Sequence, residues 1–167
     1  MNCIAMNAMN AVVKSIRMPT RRYSRLFNSS AVNARAVPLA YRSLPSSTDI
    51  AERVPLIILH GLLGSSSNFN AVGKRLSKVL DREIVLADLR NHGASPWSDS
   101  MAFEDMAQDV VKLIMEHGGR THLCGHSLGG KVAMATALLH PETLASCTVV
   151  DISPVAYSTS EAQWTQI

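Results

Sequence analysis

The stretch "LCGHSLGGK", residues 123–131, places a serine between two glycines, directly after an apolar run and directly before a helical pattern. Its Gly125-His126-Ser127-Leu128-Gly129 segment matches the pattern G-x-S-x-G. A reversal from strand to helix within one residue forces that residue into a strained backbone conformation. The residues two before and two after it then approach each other closely, and only glycine fits at both places. The pattern therefore predicts an elbow that raises the Ser127 hydroxyl above a sheet, at a helix N-terminus that favours negative charge.

Strand-like and helix-like segments alternate along the chain from Val54 onward. Short apolar runs, typical of strands in a parallel sheet, cover residues 54–60, 82–89, 121–125 and 144–153. Helical patterns lie between them at residues 68–80, 101–119 and 127–141. This alternation predicts an α/β fold, with a mostly parallel sheet and helices on both faces. Sites in such sheets form at the carboxyl ends of the strands, where the conspicuous motifs lie.

The N-terminal segment differs in composition from the rest of the chain. Residues 1–47 carry seven basic residues and no acid, whereas nine basic and thirteen acidic residues follow from Thr48 onward. A segment rich in Arg, Ser and Asn and free of acids is typical of a mitochondrial transit peptide. We therefore expect residues 1–35 to be a disordered leader, with a processing point near Tyr23–Ser24, and residues 36–167 to form a partial domain. Because the excess of positive charge lies in this leader, we expect no nucleic-acid partner. The alternative is a disordered basic tail that could hold nucleic acid.

The size, hydropathy and cysteine content narrow the class of protein further. The chain has 167 residues, 47% of them hydrophobic, which is enough for one modest domain. No apolar run approaches the roughly 18 residues that a membrane span needs, so a soluble protein of the mitochondrial matrix is expected. Three scattered cysteines are too few for a disulfide framework or a zinc site. Cys124 and Cys147 lie in apolar runs and are expected to be small buried side chains.

A second motif, "HGLLG" at residues 60–64, follows the first apolar strand. When a serine at such an elbow acts as a nucleophile, its oxyanion hole is formed by two backbone N–H groups. The loop after the first strand donates one, and the residue that follows the serine donates the other. These roles fall to the N–H groups of Leu62 and Leu128, and each such donor can lower the barrier by about 2.7–4 kcal/mol. A tight turn with a hydrogen-bonded His60 is the alternative interpretation of this motif.

Four motifs occur in a fixed order along the chain: "HGLLG", "DLRNHGASP" (88–96), "GHSLGGK" (125–131) and "VVDISP" (149–154). Together they resemble the α/β-hydrolase superfamily, and within it the mitochondrial branch of α/β-hydrolase domain-containing protein eleven and the yeast ethanol acetyltransferases. "RNHG", where the wider superfamily commonly has R-G-H-G, and "VDISP" narrow the resemblance. It covers about Val37 to Val155. It implies a serine esterase or acyltransferase that acts on small or medium-chain acyl esters, without a metal or organic cofactor.

The acid and the base of a catalytic triad follow the serine in this fold. Asp151 lies 24 residues after Ser127, at the end of the next strand, and the resemblance implies that it is the catalytic acid. The alternative is an aspartate that only caps the turn at "DISP". No histidine follows Asp151, and the resemblance places the catalytic histidine beyond Ile167. His126 points away from the hydroxyl in an elbow, so an earlier base would require a triad rewired through His60 or His92.

These observations predict the N-terminal half of an α/β-hydrolase fold, either a fragment or a prematurely ended gene model. The parent polypeptide is expected to form an acyl-enzyme on Ser127 from a small-molecule ester, which water or an alcohol then resolves. The chain by itself is expected to be inactive, because it lacks the base. The alternative is a pseudo-hydrolase whose uncovered strand edges and sheet face act as an interaction module. The oligomeric state, and the choice between hydrolysis and acyl transfer, stay open.

Overall fold

A six-stranded sheet organises the described part of the chain, which comprises residues 13–17, 35–46 and 53–155 of the computed structural model. The strands are β1 (Val13–Arg17), β2 (Tyr41–Leu44), β3 (Leu56–Leu59), β4 (Ile84–Ala87), β5 (Thr121–His126) and β6 (Leu144–Val150). The helices are α1 (Asn70–Leu80), α2 (Phe103–Glu116) and α3 (Leu128–Leu139), with short 3-10 turns at Ser66–Phe69 and Pro141–Thr143.

The strand order is β1-β6-β5-β3-β4-β2. The four inner strands run parallel to one another, and the two edge strands, β1 and β2, are antiparallel to their neighbours. The carboxyl ends of the four inner strands therefore meet at one edge of the sheet. The prediction of an α/β fold with a mostly parallel sheet is confirmed.

Helices cover both faces of the inner strands, which explains the continuous apolar runs of β3 and β4. Alternate strand residues enter two separate clusters. The larger cluster joins strand residues such as Ile57 and Val85 to apolar residues of α2 and α3. The smaller one consists of Ile58, Ile84 and Leu86, with partly buried residues of β2 and α1 packed against it. No helix within the described ranges is long and apolar enough to cross a membrane.

The hydrophobic patterns predict neither edge strand. In β2, three of four residues are exposed, so the strand has no apolar signature, and its pairing with β4 holds it in place. Strand β1 lies inside the expected leader and pairs with β6 from Val13↔Val150 to Arg17↔Ser146. The expectation of disorder over residues 1–35 therefore does not describe these five residues. The rest of residues 1–34, with the processing point at Tyr23–Ser24, lies outside the described residues, and targeting stays a prediction.

Candidate active site

Ser127 lies at the turn between β5 and α3, with φ 51° and ψ −115°. Its N–H donates to the carbonyl of Val150 at 3.0 Å, and its own carbonyl accepts from the N–H of Lys131 at 3.1 Å. A positive φ is unfavourable for a serine, so the surrounding structure must hold the residue there. The strand–helix reversal places the Ser127 side chain at the carboxyl edge of the sheet.

The two glycines that flank Ser127 are required by the close approach of main chains. A methyl group on Gly125 would lie 2.1 Å from the carbonyl oxygen of Gly129. A methyl group on Gly129 would lie 2.6 Å from the carbonyl oxygens of Leu59 and His60. Both distances are far shorter than van der Waals contact, so a side chain at Gly125 would displace α3 from β5, and one at Gly129 would displace it from the end of β3. The elbow geometry thus depends on both glycines.

The "HGLLG" segment forms a closed turn directly beside the elbow. The N–H of Gly64 donates to the carbonyl of Gly61 at 3.0 Å, and Leu63 has φ 59°. A methyl group on Gly61 would lie 3.3 Å from Cβ of Ser127. Within the described ranges, the N–H groups of Leu62 and Leu128 have no hydrogen-bond acceptor. Both N–H groups therefore lack a partner among the described residues, and their oxyanion role stays a prediction.

His60 has a structural role beneath this turn. Its Nδ1 lies 2.7 Å from the carbonyl oxygen of Gly61, and its Nε2 accepts the N–H of Leu89 at 3.0 Å. These partners place the proton on Nδ1. Burial lowers the pKa of His60, which keeps the ring neutral. Because backbone groups occupy both ring nitrogens, the structure excludes a triad rewired through His60 in this conformation.

Asp88, which follows β4, holds two loops at this edge of the sheet together. Its Oδ1 accepts the N–H of Ser66 at 2.6 Å, and its Oδ2 accepts the N–H of Ala94 at 2.9 Å. Burial tends to raise the pKa of Asp88, but the hydrogen bonds from Ala94 and Ser66 outweigh that effect and hold the pKa below its ordinary value. The ionised carboxylate therefore fixes the segment after the "HGLLG" turn to the loop after β4.

Arg90 anchors the same loop to α2. Its guanidinium makes two hydrogen bonds to the Asp109 carboxylate, and it also donates to the carbonyls of Ser100 and Asp105 at 3.1 Å. The N–H of Val37 donates to the same carboxylate at 2.7 Å. The sequence patterns predict no contact for Arg90 or Asp88, although both lie in the "DLRNHGASP" motif. Their position directly after a buried strand is the signal that could identify them.

Asp151 lies beside the elbow, one residue after β6, with φ 55°. Its Oδ2 is 3.9 Å from Nε2 of His126, and about two thirds of its side chain is exposed, at 66%. The ring centroid of His126 lies 6.3 Å from that of Phe69. The structure thus brings Ser127, the "HGLLG" turn and Asp151 to one place, and the catalytic role of Asp151 stays a prediction.

None of the six histidines donates to, or accepts from, the Ser127 hydroxyl in the described part of the chain. Besides His60 and His126, the other four rings contact groups elsewhere: His92 the carbonyl of Arg90, His117 the carboxylate of Glu83, His122 the hydroxyl of Ser146, and His140 the side chains of Gln108 and Glu142. The described residues also include no cluster of three or more His, Cys, Asp or Glu side chains that could hold a metal ion. No histidine in the described ranges is therefore in hydrogen-bond contact with the Ser127 hydroxyl, so none of them is in place to accept its proton.

Three features together define the class of protein. They are the mostly parallel sheet, the serine at the turn between β5 and α3, and the turn from Gly61 to Gly64 beside it. The chain belongs to the α/β-hydrolase family, because the family model described as "alpha/beta hydrolase fold" matches residues 54–166. The resemblance inferred from the four motifs is confirmed.

Two curated proteins and one solved structure are similar to this chain over most of its length. The chain is 41% identical over 134 residues to "sn-1-specific diacylglycerol lipase ABHD11" of Danio rerio, and the aligned part is 80% of this chain and 41% of that protein. It is 42% identical over 108 residues to "Probable alcohol acetyltransferase" of Saccharomyces cerevisiae, covering 62% of this chain and 32% of that protein. The solved structure "Marine microorganism esterase" matches with a TM-score of 0.67 at 33% identity, covering 78% of this chain and 49% of that one. The chain therefore spans less than half the length of each of these relatives.

Proposed function

We propose that the polypeptide carrying this chain cleaves carboxylic esters of small or medium-chain acyl groups through an acyl-enzyme on Ser127, or transfers the acyl group to an alcohol. The observation that carries the proposal is the backbone of Ser127, which glycine packing holds at φ 51° close to two N–H groups that have no acceptor among the described residues. Two relatives support the two outcomes, since one is named a diacylglycerol lipase and the other a probable alcohol acetyltransferase.

In the proposed reaction, Oγ of Ser127 attacks the carbonyl carbon of the ester and loses its proton to a histidine. The N–H groups of Leu62 and Leu128 stabilise the negative charge that develops on the carbonyl oxygen. The same histidine then protonates the departing alcohol, which leaves an acyl group on Ser127. Water or a second alcohol then gives its proton to the histidine and attacks the acyl carbon. The bond from this carbon to Oγ of Ser127 breaks, the acid or new ester leaves, and the histidine returns the proton to Ser127. Asp151 orients the histidine and stabilises its charged form.

We assign the histidine to a part of the polypeptide outside these 167 residues. The described ring contacts support this assignment, because none of them reaches the Ser127 hydroxyl. His60, whose ring is buried between two backbone groups, is the least able to serve. In this proposal the 167 residues alone bind the ester but do not turn it over.

Fluorophosphonate labelling of the polypeptide isolated from its own cells tests the nucleophile. Peptide mass spectrometry is expected to find the adduct on Ser127, and S127A expressed in the same cells is expected to carry none. Absence of the adduct on the wild-type polypeptide, in a sample whose other serine hydrolases are labelled, would contradict the proposal.

Turnover by the recombinant 167-residue chain tests the assignment of the base. With a short p-nitrophenyl ester, we expect release of p-nitrophenol at the rate of S127A, which serves as the background. Turnover well above that rate and lost in S127A would place the base inside these residues. The nucleophile would then stand, and the assignment of the histidine would be wrong.

An interaction module is the second candidate function, and the absence of a base among the described contacts of Ser127 favours it. In that case the isolated native polypeptide carries no fluorophosphonate adduct and co-sediments with a partner in a fixed ratio. The adduct on Ser127 decides between the two functions.

We also propose that residues 1–35 direct the polypeptide to the mitochondrial matrix, on the support of their basic, acid-free composition. A fusion of residues 1–35 to a fluorescent protein is expected to enter mitochondria. The matched variant, in which Arg21, Arg22 and Arg25 are replaced by glutamine, is expected to stay outside. Equal distributions of the two fusions would exclude this role for the arginines.

A further inference from the structure

Two loops at the carboxyl edge of the sheet expose large apolar side chains. Leu62 and Leu63 in the turn after β3 are 56% and 92% exposed, and Trp97 in the loop after β4 is 83% exposed. Strands β3 and β4 are parallel neighbours, so both loops leave the sheet at the same edge. We call these three residues the apolar rim.

The two loops of the apolar rim are fixed to each other. The Asp88 carboxylate accepts one N–H from each of them, and the rings of His60 and His92 lie 5.2 Å apart between centroids. Asn91 and Ser98 close the second loop around Trp97, with two hydrogen bonds of 2.8 and 2.6 Å. The rim is therefore presented on braced backbone, which lowers the entropy cost of binding a ligand there.

Leu63 has a strained backbone and an exposed apolar side chain, and neither feature stabilises the fold. Its φ of 59° is in the left-handed region, where glycine and asparagine fit and a leucine is strained. Its side chain contributes almost no burial, because 92% of it is exposed. Packing within the described structure accounts for neither feature, and backbone strain at such positions is often associated with a ligand site.

The turn that carries Leu63 lies beside Ser127, and this position indicates which kind of ligand Leu63 contacts. A methyl group on Gly61 would lie 3.3 Å from Cβ of Ser127, and Leu62 and Leu63 are the next two residues. A group bound at the Ser127 hydroxyl thus lies next to the Leu62–Leu63 part of the apolar rim, and Trp97 lies in the neighbouring loop at the same edge of the sheet. We propose that Leu63, together with Leu62 and Trp97, contacts the apolar chain of the ester and sets the preferred chain length. This inference rests on the proposed function, since it takes the ester as the ligand.

Binding of uncleavable ethers to the intact 167-residue chain tests the inference without any chemistry at Ser127. The probes are dispersed 1-O-alkyl glycerol ethers of increasing chain length, each brominated near the chain end so that it quenches tryptophan fluorescence on contact. We expect quenching of Trp97 at probe concentrations below micelle formation. The affinity should rise with each methylene, by at most about fourfold when the methylene is fully buried.

Matched variants separate the rim from the rest of the surface. L63N is expected to weaken binding of the longest ether by about fivefold to tenfold, the value of a partly buried leucine, and to leave the Tm unchanged or higher because asparagine tolerates the left-handed backbone. L138N, on a leucine that is 82% exposed on α3, should change neither the affinity nor its dependence on chain length. In W97F the quenching is expected to disappear, which distinguishes Trp97 from Trp164.

In the quenching experiment, the inference is overturned by quenching that survives in W97F, by affinity that does not change with chain length, by equal loss of binding in L63N and L138N, or by quenching only above the micelle concentration. Sedimentation provides a further check, because a dimer that L63N dissociates would assign the rim to a second copy of the chain. A Ser127 adduct without ether binding contradicts this inference and leaves the proposed function intact. Ether binding without the adduct contradicts the proposed function, and the rim is then an alkyl-binding surface that serves no ester reaction.

Discussion

Arg90 and Asp109 form a bidentate ion pair, in which Nε of the arginine lies 2.6 Å from Oδ2 and Nη2 lies 2.7 Å from Oδ1 of the aspartate. Both side chains are buried. Their hydrogen bond raises the pKa of Arg90, while burial raises the pKa of Asp109 and the bonds from Arg90 oppose that rise. The arginine belongs to the loop after β4 and the aspartate to α2, so the pair sets the position of the loop that carries Trp97.

Removal of the arginine charge is expected to destabilise the chain strongly. R90M leaves the Asp109 carboxylate buried without its partner, and the free energy of unfolding should fall by about 3–5 kcal/mol in urea titrations. The double variant R90M/D109L should recover most of this loss, because it removes the second charge as well. R75M, at an exposed arginine of α1, is the control, with an expected change below about 0.5 kcal/mol. A loss below about 1 kcal/mol in R90M would show that the pair is not ionised as described.

His60 is expected to make the stability of the chain dependent on pH. Burial lowers its pKa in the folded state, whereas in the unfolded chain the value is about 6.5. The neutral ring therefore contributes its full stability above about pH 6.5, and this stability is lost as the pH falls towards the lower folded pKa. H60Q keeps one acceptor for Leu89 and one donor for Gly61 but does not titrate. Its melting temperature should change less than that of the wild type between neutral and mildly acidic pH, and parallel curves would show that His60 does not cause the dependence.

Asp88 should control the order of the two loops at the site. In D88N the amide replaces one acceptor oxygen by a donor that faces a backbone N–H, and we expect a loss of about 1.5–3 kcal/mol. The folded pKa of Asp88 is lowered, so its contribution is present above about pH 4 and is lost as the pH falls through the folded value. Faster amide exchange at Ser66 and Ala94 would locate the effect. D99N, at an exposed aspartate of the same loop, should leave these amides unchanged.

The elbow allows opposite predictions for two neighbouring positions. G129A places a methyl group within 2.6 Å of two carbonyl oxygens, so the free energy of unfolding should fall by more than about 3 kcal/mol. S127G removes the strain of a serine at positive φ, and its Tm should equal or exceed that of the wild type. Thermal unfolding followed by circular dichroism measures both. A strongly destabilised S127G would mean that the serine side chain supports the fold.

Removal of residues 1–23 should expose the edge of β6. Strand β1 pairs with five residues of β6, Ser146 to Val150, and the deletion removes all of these pairings. We expect faster amide exchange in this part of β6 and more self-association, because an open edge accepts strands from other molecules. Strand β4, paired on both sides by β2 and β3, is the internal reference. Unchanged exchange in β6 would show that β1 does not protect it.

The parts of the fold that the sequence predicts are those with a strong local signal. The inner strands are apolar on both faces and so are evident as continuous runs, and the elbow is recognised from glycines only four residues apart. Strand β2 has exposed side chains and depends on its neighbour β4, so no periodicity predicts it. The contacts of Arg90 and Val37 with Asp109 span 19 and 72 residues along the chain. Such pairs become visible only when the chain has folded.

The packing of Gly125 and Gly129 has a consequence for how this motif persists during evolution. Main-chain contacts require both glycines whatever chemistry Ser127 performs, so a lineage that lost its activity would still retain them in order to fold. The serine is different, because a glycine in its place would relieve strain. In a descendant without activity, drift should therefore replace the serine and spare its neighbours. Retention of a strained serine, more than of the glycines, is the mark that selection for catalysis leaves in such a sequence.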